Sequence, residues 1–230
     1  MQTFIRRSFS HMAGRQCAAS YLPSRKGFTV RRRFLIASAI SVGVVAAGAT
    51  LAAAVGLLVP VKGSAVFCLT PEAASALSAQ GVGLSATAPA EPDLSGPTPC
   101  VKALFSGSAS ADLADGGAQL QGGMAFTRAG SVARLELSKL TADVPSRTFR
   151  ADVEVNGAPA VTTDFLGFSL DPAYVSLSGS GARAVDDPAA LSPQGAAAFN
   201  RAFGTVPVSS GSSLFRITAE ADFLSGLPGF

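Results

Sequence analysis

Apolar and polar residues alternate with period two over much of the C-terminal half of the chain. From Phe149 to Val155 every second residue is apolar, and charged side chains fill the positions between them. The same alternation runs through 133–137, 166–170 and 215–222. One apolar and one polar face per strand is typical of antiparallel sheets. The pattern therefore predicts an all-β fold, either an antiparallel β-sandwich or a flattened barrel.

Capping signals predict two short accessory helices. Thr70-Pro71-Glu72 supplies a hydroxyl N-cap, a proline in the first turn and an acid near the positive end of the helix dipole, and Gly81 ends the helix. A second helix begins at Ser192-Pro193 and ends near Gly204. Asn156-Gly157 predicts a tight turn between two strands.

The N-terminal part of the chain has a different pattern. Residues 1–33 are basic, and residues 34–61 contain no charged side chain over 28 positions, more than the about 20 residues with which a helix spans a bilayer. Residues 1–64 carry nine of the 18 basic side chains and none of the 15 acidic ones, so the rest of the chain has a net charge of −6. This asymmetry predicts a basic segment (1–33), a transmembrane or signal helix (34–61) and an exported domain (66–230).

The junction of the basic and apolar segments has the form of an export signal. Arg31, Arg32, Phe34 and Leu35 resemble a twin-arginine signal. Small-residue cleavage sites follow at 47–49, 52–54 and 63–65. An uncleaved membrane anchor is the alternative, and either interpretation places the domain outside the cytoplasm, anchored to the membrane or secreted into the envelope. An organelle presequence in residues 1–28 is a further compositional alternative.

The distribution of cysteines favours a disulfide. Cys17 lies in the basic segment, whereas Cys68 and Cys100 both follow the apolar run. Export permits these two to form a disulfide, and two buried thiols are the alternative. No spacing of cysteine or histidine indicates a metal site.

Composition excludes several kinds of chemistry. The only histidine is His11, in the basic segment, so the exported domain has no imidazole for acid–base catalysis, a Ser-His-Asp triad or metal ligation. Its acidic balance argues against binding to nucleic acid. Asp186-Asp187-Pro188 is interpreted as a solvated turn.

Several segments follow one another in an order met in a known family. They are Gly122-Gly123-Met124-Ala125-Phe126, the strands at 135–137 and 150–153, a strand ending in Asp171, a Gly-rich strand around 175–181 and the helix sequence at 190–199. In this order, over about residues 105–222, they resemble the HtaA domain. HtaA domains are actinobacterial cell-surface and secreted modules, and some of them bind haem.

The resemblance implies a non-catalytic binding or surface-interaction module of the cell envelope; haem is the ligand that the family suggests, but its expected ligands are missing from this sequence, so no cofactor is predicted. Haem-binding members carry a tyrosine ligand in a Ser-Phe-Arg-x-Tyr segment, supported by a histidine; here Phe105-Ser106-Gly107 stands near that place without the tyrosine. Tyr174 is the one phenol beyond residue 64 and is therefore the candidate haem ligand. The alternatives are a purely structural or adhesive envelope protein, and a secreted hydrolase that uses only carboxylates such as Asp152, Glu154 or Asp164.

Overall fold

A computed structural model of the chain describes residues 58–110, 112–178 and 180–224. The predicted export-signal residues Arg31, Arg32, Phe34 and Leu35 lie outside these ranges, as do the basic segment and residues 34–57 of the predicted helix. The last residues of that predicted helix, 58–61, are not helical, because they begin a strand. Within the described ranges, no helix is both long and apolar enough to cross a membrane.

The described chain consists of strands and two helices. The strands are β1 (Leu58–Leu69), β2 (Val82–Thr87), β3 (Glu91–Asp93), β4 (Cys100–Ser110), β5 (Gly116–Leu120), β6 (Gly123–Arg128), β7 (Arg134–Asp143), β8 (Thr148–Val155), β9 (Val161–Gly167), β10 (Val175–Ser178), β11 (Gly181–Leu191) and β12 (Ser213–Phe223). The helices are α1 (Pro71–Ala79), after β1, and α2 (Pro193–Phe203), after β11.

Eight of the strands close into a single antiparallel barrel. They pair in the order β7-β5-β4-β1-β12-β11-β9-β8, and β8 pairs again with β7 to complete the ring. β6 and β2 extend from β7, β3 pairs with β4, and β10 pairs with β11. The barrel alternative is thus confirmed and the sandwich is wrong. Both architectures bury alternate residues, so the pattern of the sequence does not distinguish them; pairing of β7 with β8 closes the barrel.

Both predicted helices are confirmed at their capping residues. The Thr70 hydroxyl accepts a hydrogen bond from the Ala73 N–H, and the Ser192 hydroxyl accepts one from the Gly195 N–H. Gly204 ends α2 with a left-handed backbone (φ 72°), a conformation that glycine adopts without steric cost. These local hydrogen bonds satisfy N–H groups that the first helical turn leaves free.

Five phenylalanines form the centre of the core. They are fully buried and comprise Phe67, Phe126, Phe165, Phe199 and Phe215. Phe199 brings α2 into this cluster, with its ring centroid 4.8 Å from that of Phe126. At the C-terminal end of α2, the Arg128 guanidinium donates to the Phe203 carbonyl at 2.9 Å and lies 5.4 Å from the centre of its ring. The helix is therefore fixed to the barrel by an apolar face and by a cation at its carboxyl end.

The helices and the smallest core residues lie toward different ends of the barrel. α1 and α2 follow the ends of β1 and β11. At the other end, where β4, β7 and β12 finish and β11 begins, the inward positions of β11 and β12 are mostly alanines. Alanine does not fill the interior of a barrel of this size, so space remains there.

Candidate functional site

The alanine-lined end of the barrel contains a cavity of about 170 Å³. Its walls are largely apolar. The lining includes Phe105, Phe149, Phe168, Ile217 and Ala219. A concave apolar space with few polar groups is the usual form of a small-molecule site.

A β-bulge in β11 places one carboxyl in this cavity. Ala184 pairs with Ala219, and the next pair joins Asp187 to Ile217, so β11 contains one more residue than β12 between the two pairs. Without the extra residue, Asp186 would occupy the inward position. The bulge instead leaves Asp186 exposed with a left-handed backbone (φ 52°) and turns Asp187 inward.

The Asp187 carboxyl is buried with an incomplete set of hydrogen bonds. The residue is 4% exposed, and its Oδ1 atom has no hydrogen-bond partner among the described residues. Burial raises the pKa of Asp187 from 3.8 to about 6. The Ser169 N–H, which donates to the carboxyl, and the charge of Arg216 oppose this rise, whereas the charge of Asp171 adds to it. The Arg216 guanidinium donates to the Asp186 carbonyl.

The interpretation of Asp186-Asp187-Pro188 as a solvated turn is therefore wrong. The segment lies within β11, and Asp187 is buried. The sequence contains a weak signal for this arrangement, because two adjacent acids interrupt an otherwise small and apolar strand. Period-two reasoning misses it, since a one-residue bulge reverses which side chains face inward.

Tyr174, the candidate haem ligand, lies next to the cavity but does not line it. It is half-buried in the turn that precedes β10, and its carbonyl accepts a hydrogen bond from the Val185 N–H. Its neighbour Val175 is part of the cavity wall. Phe105, which stands where the family's tyrosine segment would begin, lies in β4 and lines the same cavity.

A second, wider groove of about 690 Å³ lies beside α1 and β2. Its walls are aliphatic, with hydroxyls from Ser75, Ser78 and Thr127, and they include neither tyrosine nor histidine. Among the described residues there is also no cluster of three His, Cys, Asp or Glu side chains able to hold a metal ion. The groove lining therefore contains none of the side chains that usually bind ferric iron.

The carboxylates considered for a hydrolase lie on the outer face of the barrel. Asp152 accepts from the Thr162 hydroxyl at 2.6 Å and pairs with Lys139 at 2.9 Å. The hydrogen bond from Thr162, followed by that from Lys139, lowers the pKa of Asp152. Asp164 pairs with Arg150 at 2.7 Å. These acids are engaged in cross-strand pairs, an arrangement that stabilises a wet sheet face.

The predicted disulfide between Cys68 and Cys100 is confirmed. The two residues are direct partners in the pairing of β1 with β4, and their sulfurs are bonded. The bond links two neighbouring strands of the closed ring and encloses α1, β2 and β3. Disulfides persist in oxidising compartments.

The closed antiparallel barrel with its two short helices has an HtaA-like fold, as the sequence resemblance predicted. The described fold is similar to the C-terminal domain of HtaA from Corynebacterium glutamicum, at 18% identity and a TM-score of 0.51, over 72% of this chain and 99% of that domain. The N-terminal domain of the same protein shares 10% identity with a TM-score of 0.46, over 71% of this chain and 98% of that domain. No protein-family profile and no curated protein matches the sequence. The likeness to the C-terminal domain concerns the fold alone.

Proposed function

We propose that this chain is a non-catalytic, exported binding module of the bacterial cell envelope that takes a small ligand into the alanine-lined cavity. The observation that carries the proposal is the buried Asp187 carboxyl in an apolar cavity, whose Oδ1 atom has no hydrogen-bond partner among the described residues. An unpaired polar atom in such a place is costly unless a ligand or water satisfies it. In a purely structural barrel, an apolar residue at this position would stabilise the fold more than an aspartate does.

Export is supported by two independent features. The basic and apolar N-terminal segments have the order of an export signal, and the Cys68–Cys100 bond fits an oxidising compartment. We expect replacement of Arg31 and Arg32 by lysine to retain the chain in the cytoplasm. Fractionation of cells expressing the two forms, with the disulfide state read by thiol labelling, checks this; equal export of both forms would contradict twin-arginine transport.

A non-catalytic role is supported by the placement of the acids. Asp152 and Asp164 are held in cross-strand ion pairs on the outer face, whereas a glycosidase-type mechanism uses two carboxyls facing one substrate. Asp187 has no second carboxyl beside it in the cavity lining.

Binding in the cavity is tested with a small neutral probe of one ring, such as toluene, which is titrated against the purified full chain and followed by its NMR signals; this size fits a cavity of about 170 Å³. Ala219→Leu fills the cavity from inside, and Ala160→Leu makes the same change at an exposed position in the β8–β9 loop. We expect saturable binding to wild type and Ala160→Leu, weakened about tenfold or more in Ala219→Leu. Equal binding by all three forms would refute the cavity as the site and favour an adhesive or structural role.

Haem is a second candidate ligand, favoured by the position of Tyr174 beside Val175 at the cavity wall. The cavity is smaller than the about 300–1,000 Å³ usual for drug-sized ligands, so haem would have to lie across its mouth. A hemin titration followed by the Soret band tests this with wild type and Tyr174→Phe, which removes only the phenolic oxygen. A saturable shift lost in the variant supports tyrosine ligation, and a shift of equal size in both, or none, rejects Tyr174.

A further inference from the structure

The Asp187 carboxyl lacks a cation of its own. The ion pairs of the described residues do not include it. Arg216 directs its guanidinium to the Asp186 carbonyl on the outer face. Arg183, at the rim of the cavity, pairs with Glu220 at 3.3 Å. Asp171, whose charge raises the pKa of Asp187 further, is an acid and supplies no counter-ion.

The chemistry of the cavity follows from this imbalance. A carboxylate held away from water is stabilised most by a cation that also donates a hydrogen bond, and its free Oδ1 atom accepts one. The surrounding walls, formed by side chains such as Phe149, Phe168 and Ile217, accept hydrocarbon. A neutral alcohol would satisfy the lone pair but not the charge, and a carboxylic acid would add a second negative group. The cavity volume limits the body of the ligand to a few carbon atoms or one ring.

We propose that Asp187 and the alanine-lined cavity form a site for a small primary ammonium ligand with an alkyl or arylalkyl body. The ammonium group donates to Oδ1 of Asp187, and the apolar body lies against the phenylalanines and alanines of the barrel end. The proposal rests on the proposed function, because it names the ligand class of the same cavity.

The pH dependence of binding is part of this inference. Below a pH of about 6, the Asp187 carboxyl takes up a proton, since burial raises its pKa to that value. The groups that act on its pKa are the Ser169 N–H, Arg216 and Asp171, and Arg183 lies at the rim of the cavity. A protonated carboxyl no longer attracts an ammonium ion, so affinity for the amine falls as the pH drops through about 6, while affinity for a neutral analogue does not.

The test compares hexylammonium, 1-hexanol and hexanoate, which share one alkyl chain and differ in the head group. Each is titrated into the full chain at about pH 7.5, with the amide NMR shifts of Asp187 and Ile217 as a site-specific readout. We expect hexylammonium to bind about tenfold or more tightly than 1-hexanol, since hydrogen bonds to charged groups are the stronger ones, and hexanoate to bind weakest. Asp187→Asn should abolish the preference for the amine over the alcohol.

Asp186→Asn is the matched control, because it removes the neighbouring negative charge from the exposed side of the same bulge. We expect it to keep the wild-type preference. If wild type binds hexanol and hexylammonium equally, or Asp187→Asn retains the preference, the ammonium inference is overturned while the cavity remains a binding site. If neither the alkyl compounds nor the neutral one-ring probe binds, the proposed function fails as well.

Discussion

Replacing Asp187 by asparagine should stabilise the folded chain at neutral pH. Asparagine keeps the shape of the side chain and an oxygen that accepts from the Ser169 N–H, but it introduces no buried charge. In the wild-type chain, burial raises the pKa of Asp187 from 3.8 to about 6. Because one pKa unit corresponds to about 1.36 kcal/mol, holding this carboxylate ionised in the fold costs about 3 kcal/mol above pH 7.

The direction of the pH effect follows from proton binding. Between pH 3.8 and about 6, the folded chain retains an Asp187 proton that the unfolded chain has released, so this residue makes the free energy of unfolding fall as the pH rises. Asp93, Asp112 and Asp152 act in the opposite sense at lower pH. Their pKa values are lowered, first of all by hydrogen bonds from neighbouring hydroxyls. Measurements from about pH 4.5 upward therefore isolate Asp187.

The assay is urea unfolding at about pH 4.5 and pH 8, with the disulfide intact. We expect Asp187→Asn to exceed wild type in free energy of unfolding by about 1–3 kcal/mol at the higher pH and by much less at the lower pH. Asp186→Asn removes the same charge from an exposed position where asparagine tolerates the left-handed backbone, and it should follow the wild-type curve. Identical pH dependence in wild type and Asp187→Asn would refute the argument from burial.

Three further changes test how the barrel is held together. Replacing Cys68 and Cys100 by serine should lower the free energy of unfolding by about 3–4 kcal/mol, measured with urea against the oxidised wild type, and no loss would show that the bond constrains little. Arg128→Met should lower the free energy of unfolding by about 1–2 kcal/mol, because it removes the hydrogen bond to the end of α2. Amide hydrogen exchange in that helix should become faster, and unchanged exchange would contradict this prediction. Phe199→Ala should lower the free energy of unfolding, measured with heat or urea, by about 3–5 kcal/mol. Val132→Ala, at a position 93% exposed, should change it by less than about 0.5 kcal/mol. Similar losses in the two variants would argue against the placement of Phe199 in the core.

The elements that sequence reasoning recovers are those with local signals. α1 and α2 are set by hydroxyl caps and terminal glycines, and β8 and β12 by alternation that the structure preserves. The predicted alternation at 166–170 holds less well, because β9 ends at Gly167 and Phe165 is buried as well as Leu166.

The parts that sequence reasoning misses depend on long-range pairing. β1 begins in the last residues of the uncharged run, at Leu58. Apolar and polar residues do not clearly alternate at 63–65, so the sequence pattern predicts one helix up to residue 61 instead of a strand. Strand order, which makes the sheet a barrel, depends on partners about 150 residues apart, such as β1 and β12. The candidate site depends on a bulge, and one additional residue decides which of Asp186 and Asp187 enters the cavity.

The pairing of β1 with a strand on each side limits where a signal peptidase can cut the chain. Gly63 pairs with Phe105 of β4 on one side and with Ala221 of β12 on the other. A signal peptidase that cut at 63–65 would remove the first half of this strand and leave two facing strand edges without partners. Cleavage at 47–49 or 52–54 would leave β1 whole, so a processed, correctly folded barrel is expected to retain the residues from Leu58 onward.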